Sequence, residues 1–506
     1  MSTTENKKPR GGYIPAALAQ HELNGDAYVM IEDAYQLCTD RRCSYAVFVE
    51  DLREQLKVGR VCREGRRLYR SATLRHENVA AGFLAATLKN PVMKPHNLTK
   101  DLGMLEQFLN EQQCEAVRMA LACRLSIVLG GAGTGKTTLI QGIVEAYDGG
   151  GTVLLTAPTG KAARNLTERT FCEARTVHSA LGLTPEDDGA LTPVVWTHVG
   201  LVIVDEASML TLQLLAGIFH KMHARCQVVL VGDPNQLLSV GAGNVLPDLV
   251  NLGVPCVRLL KNYRQEEQET ALYHNVTDFV NICSGSELRF DDSFHLEHMN
   301  ELDAEKALVE EAARRYQAGE SVQVLSPYNS KTNLSVHGLN CSLQAKLNPP
   351  QTGKPELPVG KGIFRDGDRV IITKNNYEAN CVNGDVGILH IEDGDKECPK
   401  YWVELPDGRK PNFIGWGGLS EMSLAYALTV HKSQGSQYDT ILFPVIERFS
   451  GMLYRNLFYT AISRAQKRVI LYGCMHSLDV AVQTEAKPRN SMLVEKTNML
   501  RLREIA

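Results

Sequence analysis

One octapeptide limits the fold more than any other part of the chain: Gly130-Gly131-Ala132-Gly133-Thr134-Gly135-Lys136-Thr137. It matches G-x-x-x-x-G-K-[ST], a loop whose backbone wraps phosphate groups. The apolar run Leu125-Ser126-Ile127-Val128-Leu129 before it reads as a buried strand, and residues 138–144 after it have helical spacing. Strand, glycine-rich turn and helix in that order commit this part of the chain to an α/β layer. The glycines let the N–H groups from Gly131 through Thr138 turn inward. The helix N-terminus adds its dipole. Lys136 is expected to reach the β/γ-phosphates, and the Thr137 hydroxyl to serve Mg²⁺.

Other apolar runs end in polar residues, as ligand-binding loops of parallel sheets do. Leu201-Val202-Ile203-Val204 is followed by Asp205 and Glu206. Asp205 is expected to hold Mg²⁺, and Glu206 to polarise an attacking water. Residues 152–156 lead into Ala157-Pro158-Thr159-Gly160-Lys161, whose hydroxyl, free N–H groups and ammonium suit a nucleic-acid backbone. Residues 227–231 lead into Gly232-Asp233-Pro234-Asn235-Gln236-Leu237, with Gln236 placed to sense the γ-phosphate and Arg264 able to reach the same group. Gln113 lies seventeen residues before Gly130, in a segment read as a helix over 105–121, and an amide can read adenine by donating and accepting together.

The pattern restarts near residue 322. Strands are expected at 322–325, 440–443 and 468–472, and helices at 334–347 and 458–465. Residues 269–318 read as charged and helical, and 353–362 as a linker. Between 364 and 419, four Asp-Gly or Asn-Gly turns mark a small β-rich insertion. A hairpin is expected at 183–195.

The net charge of −4 does not announce a nucleic-acid binder, so any such site has to be a local groove. The first hundred residues differ, with 16 Lys/Arg against 11 Asp/Glu. There, helices are expected at 31–38 and 45–55, followed by an arginine-rich hairpin about Gly65. This arrangement resembles a winged helix. Its hairpin reads either as a nucleic-acid contact or as the solvated edge of a packing module. Thirteen scattered cysteines form no disulfide framework, although Cys38 and Cys43 leave a zinc site open. A reducing cytoplasmic setting is expected. The first ten residues lack an apolar signal core, and no run approaches a membrane span.

In this order the segments resemble the motif set of superfamily 1 helicases, and more narrowly the RecD-like 5′→3′ DNA helicases of the 1B group. The further carriers are Lys261-Asn262-Tyr263-Arg264-Gln265, Thr373-Lys374-Asn375-Asn376-Tyr377 with Asn383-Gly384-Asp385, Thr429-Val430-His431-Lys432-Ser433-Gln434-Gly435, and Tyr459-Thr460-Ala461-Ile462-Ser463-Arg464-Ala465. The resemblance spans about 105–475. It implies two tandem RecA-like motor domains with ATP between them. The expected divisions are a tail at 1–12, an N-terminal domain at 13–100, a first motor at 101–265, and a second at 266–506 carrying an SH3-like insertion.

On that footing Gln113 would hold adenine and Gly435 would face the nucleotide. Arg264 and Arg464 would act as arginine fingers, with Lys136, Glu206 and Gln236 completing the chemistry. Thr159, His178, His431 and Ser433 would contact single-stranded DNA, with Pro158, Lys161, Asn235, Asn376 and Thr429 in the same track. The 183–195 hairpin would be a strand-separating pin, and its acidic tip suits a wedge rather than a phosphate grip. The implied function is ATP-driven 5′→3′ unwinding of tailed duplex DNA in repair, recombination or replication. Two alternatives stand beside it: a motor subunit of a helicase–nuclease complex docked through its N-terminal domain, and an RNA-directed motor of the same build.

Overall fold

The computed structural model describes residues 12–40, 43–93, 105–184, 191, 194–263, 269–360, 362–376, 378–394 and 397–503. Its longest apolar runs become parallel strands buried on both faces. In the first motor the sheet order is Ala174–Thr176, Thr152–Ala157, Val199–Val204, Gln227–Gly232, Leu125–Gly130, Cys256–Leu259, all parallel. Alternate residues feed two cores. Ile127, Val202, Val204, Val228 and Leu230 face one side, while Val128, Leu201, Ile203, Val229 and Val231 face the other. Double coverage explains why these strands read as unbroken apolar runs.

Helices Glu111–Ala122, Lys136–Ala146 and Gly160–Thr170 cover the second face. The first of these starts at Glu111 rather than 105, because Asn110 and Gln113 form a reciprocal capping box. The opposite face is covered by Leu212–Lys221, Val245–Asn251, Ser71–Lys89 and Leu493–Arg503. Packing therefore does not follow the expected divisions at 100 and 266. Ala80, Ala81 and Leu84, from before residue 100, and Leu493, from the far end of the chain, all join the core of the first motor.

The segment leading to that last helix is stitched down by polar contacts. Arg489 donates to the Ser239 carbonyl (2.6 Å), the Ser239 hydroxyl (3.0 Å) and the Gly243 carbonyl (2.8 Å). A side chain on Gly25, where φ is 101°, would overlap this guanidinium. The N–H of Asn490 donates to Asp26 (2.8 Å), the Ser491 hydroxyl to Asp248 (2.8 Å) and the N–H of Met492 to Glu77 (2.8 Å). Lys496 pairs with both Glu64 and Glu77 at 3.0 Å.

The second motor is also a parallel sheet, in the order Phe294–His298, Ala465–Gly473, Tyr438–Val445, Val322–Ser326, Ala427–Thr429. Phe294–His298 falls inside the stretch expected to be helical. It is an edge strand, so one paired side suffices and its charged residues stay wet. The insertion is an antiparallel five-stranded sheet built from Asn412–Ile414, Lys400–Glu404, Val386–Ile391, Arg369–Ile372 and Met422–Leu424, around Leu389, Tyr401, Val403 and Phe413. The expected linker instead forms the hairpin Glu356–Val359 with Gly362–Arg365. Fully buried Asp368 roots the insertion, accepting from Gln344, Asn348, Tyr426 and the N–H of Arg365.

Near the N-terminus, helices Tyr13–Leu23, Ile31–Thr39 and Tyr45–Lys57 accompany a three-stranded antiparallel sheet in the order Val29–Met30, Arg67–Arg70, Val61–Glu64. The hairpin is present, but Arg66 pairs with Glu32 and Arg70 with Glu22 of the same module. Cys38 and Cys43 are buried in its core beside Ala34 and Phe48. Residues 185–190, 192 and 193 of the expected pin lie outside the described residues, and those described around them are not in strands. No helix among the described residues is long and apolar enough to cross a membrane.

Candidate active site

The loops at the carboxyl ends of both sheets meet around a cavity of about 660 Å³. One wall carries the 132–138 loop, Asp205, Glu206, Gln236 and Tyr263; the other carries Gly435, Ser436, Ser463 and Arg464. Gly133 and Gly135 take φ of 81° and 76°, which closes the loop and opens helix Lys136–Ala146. Lys136 donates to the carbonyls of Gly130 and Gly131, both at 2.7 Å.

Asp205 and Glu206 follow the buried strand Val199–Val204. Burial, together with the neighbouring Glu206 charge, raises the Asp205 pKa to about 6, against the pull of Lys136. Glu206 holds a left-handed φ of 51° and donates its N–H to Asp205 at 2.8 Å. A non-glycine residue in that region is strained and marks a constrained site. The buried Glu206 Oε2, Gln236 Oε1 and Gln434 Nε2 have no hydrogen-bond partner. Buried polar atoms are usually paired, and of these three Glu206 and Gln236 line the cavity, so two acceptors there are open to a polar ligand.

These residues fit a nucleoside triphosphate with Mg²⁺. Among the described residues no three His, Cys, Asp or Glu converge on one point. Mg²⁺ needs no such cage, since one or two protein oxygens plus substrate phosphates suffice. Thr137 and Asp205 supply oxygens of that kind.

Gln113 lies beside the loop. Its Oε1 accepts from the N–H of Asn110 (3.0 Å), and its Nε2 donates to the Gly135 carbonyl (3.4 Å). Tyr263, 39 % exposed, flanks the same glycine; its N–H donates to the Gly133 carbonyl (2.9 Å), and its hydroxyl accepts from Asn110. Gln113 is buried, with both atoms of its amide bonded, and of the two Tyr263 lines the cavity. Tyr263 carried no separate sequence signal beyond its place next to Arg264. Arg264 itself lies outside the described residues. Arg464 is 5 % exposed and bonds the Thr460 carbonyl, the Ser436 carbonyl and the Ser463 hydroxyl.

The residues expected along DNA are spread over both motors and the insertion. Pro158 precedes Thr159, which caps helix Gly160–Thr170 by accepting from the N–H of Ala162. The insertion docks on this helix: Val382 sits against Gly160, Gly384 against the Lys161 stem, and Asp385 pairs with Arg164 at 2.5 Å. Lys161 lines the cavity. Asn376 accepts from the N–H of Ala379 and bridges Cys381 through its backbone. Asn165 donates to the Gly435 carbonyl at 2.6 Å, tying the two motors together.

His178 is exposed on the short helix Val177–Leu181. His431 is half-buried; burial, then the charge of Arg489, holds its pKa below the usual value, so the ring is neutral at pH 7. Asn235 donates its N–H to Asp233. Thr429 accepts from the N–H of Lys432. Ser433 is an exception to its expected place on the DNA surface: it is fully buried and donates to the Val430 carbonyl, so as placed it shapes the turn.

Three family descriptions match this chain in sequence order. Residues 108–278 match an AAA domain, 339–404 the SH3 domain of ATP-dependent RecD-like DNA helicases, and 424–472 a UvrD-like helicase C-terminal domain. The ATP-dependent RecD2 DNA helicase of Deinococcus radiodurans is 33 % identical over 393 residues, covering 77 % of this chain and 52 % of that protein. The RecBCD enzyme subunit RecD of Mycolicibacterium smegmatis is 29 % identical, covering 78 % of this chain and 76 % of that protein. The chain thus spans about half the length of the first relative and three quarters of the second. A crystal structure of Pif1 helicase from Candida albicans is similar at 19 % identity and a TM-score of 0.45, covering 78 % of this chain and 99 % of that one. With its phosphate loop, its acidic strand end and its inserted SH3-type sheet in the order these descriptions require, the chain is similar over most of its length to RecD-like ATP-dependent DNA helicases.

Proposed function

We propose that this chain is an ATP-driven motor that moves 5′→3′ on single-stranded DNA and separates tailed duplexes. One observation carries the reading: a nucleotide-sized cavity between two parallel sheets, with Lys136, Asp205, Glu206 and Gln236 on one wall and Arg464 on the other.

Gln113 and Tyr263 take the adenine, and the 131–138 backbone takes the phosphates. Thr137 and Asp205 would hold Mg²⁺, which neutralises phosphate charge when bound. Glu206 orients the attacking water, and its strained backbone fixes the carboxylate in the cavity. Lys136 stabilises charge at the transferred phosphate from one side, while Arg464 does so from the other, and the resemblance adds Arg264 as a second guanidinium. Because the Arg464 guanidinium comes from across the cleft, hydrolysis demands closure. Alternating closure and release would shift Thr159 and His178 against Asn376 and His431 along the strand.

The name of the second relative, a RecBCD enzyme subunit, favours one further reading, in which the chain works only beside a partner docked on its N-terminal module. The purified chain should displace a strand from a 5′-tailed duplex and leave a 3′-tailed one intact. Reversed polarity would overturn the direction. Turnover without displacement would favour the partnered subunit, and stimulation by RNA over DNA would favour an RNA track.

A further inference from the structure

Helix Arg455–Ile462 of the second motor grips the loop that carries Gln236. Asn456 donates to the Asn235 (3.2 Å) and Gln236 (3.3 Å) carbonyls, and the Thr460 hydroxyl accepts from the N–H of Leu237 (2.9 Å). Between them lies Tyr459, its ring buried against Phe279 with centroids 5.0 Å apart. Spacing at i, i+3 and i+4 puts all three on one helix face.

The Tyr459 hydroxyl crosses between the motors and bonds in two directions. It donates to Asp233 Oδ2 at 3.0 Å and accepts from the N–H of Ala132, in the phosphate loop, at 3.3 Å. Burial and the Asp233 charge hold its pKa far above the usual value, so the phenol keeps its proton and acts as donor to the carboxylate. The same Oδ2 accepts from Gln236 Nε2 at 3.4 Å, and the other Gln236 amide atom, Oε1, is the unpartnered one in the cavity. A continuous chain of hydrogen bonds therefore runs from the Ala132 backbone through Tyr459 and Asp233 to Gln236. Such a chain in a dry interior is polarised along its length, and a change at one end is felt at the other.

We infer that Tyr459 is a positioning residue that couples the phosphate loop and the closure of the cleft to the orientation of Gln236. The inference rests on the nucleotide reading of the cavity and adds a residue of the second motor to its control. Either event, a shift of the 131–133 backbone as phosphate arrives or a movement of helix Arg455–Ile462, changes what Asp233 Oδ2 accepts. The Gln236 amide then turns with it.

The test is Tyr459→Phe in the full chain, which keeps the ring and removes the hydroxyl. ATP turnover is measured with and without a dT oligonucleotide, alongside thermal unfolding and binding of a fluorescent ATP analogue. The expected result is a kcat lowered by about tenfold, with KM and analogue affinity within about threefold. Gln236→Ala should lower kcat similarly, and the double variant should be no worse than Gln236→Ala alone. Additive losses, a kcat within about twofold of the parent, or loss of analogue binding would each overturn the coupling role. So would a drop in thermal stability that accounts for the lost turnover. A parent chain that turns over ATP without responding to DNA counts against the motor reading, while the Tyr459–Gln236 cycle is still read on the DNA-free rate.

Discussion

The Lys136 ammonium lies 2.7 Å from the carbonyl oxygen of Gly131, folded back onto the loop that carries it. Carbonyl dipoles thus stand where phosphate oxygens would bind. Lys136→Ala removes the cation and leaves those carbonyls to solvent. ATP turnover should fall at least about a hundredfold, with little change in the melting temperature. Phosphate release and thermal unfolding measure the two; substantial turnover in the variant would place the chemistry elsewhere.

Glu206→Gln keeps the size and the left-handed backbone of this position but removes the carboxylate. The variant should bind ATP within a few-fold of the parent, yet turn it over about 10²–10³ times more slowly. Nucleotide binding followed by single-turnover hydrolysis separates the two effects. Near-normal hydrolysis would mean another group orients the water.

Gln113 has two jobs, and its replacement by Ala should reveal both. Loss of the amide should narrow the preference for ATP over GTP by about tenfold in kcat/KM. Loss of the capping box should cost about 1 kcal/mol of stability. An unchanged nucleotide preference would leave Gln113 with the structural job alone.

Asp248 is a buried carboxylate, and burial raises its pKa to about 6 against hydrogen bonds from Ser491 and Asn244. Because the folded value lies above the unfolded one, the native state binds the extra proton. Stability from this group therefore falls as pH rises from about 4 to about 6, and the penalty is complete above that. Asp248→Asn should remove this component. The stability difference between variant and parent, followed by denaturant unfolding from pH 4 to 7, should shift in the variant's favour as pH rises. A difference independent of pH would refute the assignment.

Strands Leu125–Gly130, Val199–Val204 and Gln227–Gly232 were legible because both faces are buried and no charged residue interrupts them. Edge strands such as Ala174–Thr176 and Phe294–His298 were not, since solvent lets them carry arginine, histidine and glutamate. The first wall of the site was equally plain, for Lys136, Asp205, Glu206 and Gln236 all follow closely on the end of such a run. The second wall was not. Arg464 follows an ordinary amphipathic helix, and only the order of the motifs singled it out. Tyr459 was hidden for the same reason: an aromatic residue in an apolar helix looks like core, which its ring is, and only its hydroxyl crosses the cleft. The return of Leu493–Arg503 to the first motor left no trace, because a mixed polar helix does not reveal which distant surface it covers.

That return also ties the two sheets to one another at a second place. The second motor is joined to the first by the crossing after Tyr263 and again by the stitched segment from Arg489 to Met492. Held at those two places, and bridged across the cleft by Arg164, Asn165 and Tyr459, the second sheet keeps Arg464 facing the phosphate loop.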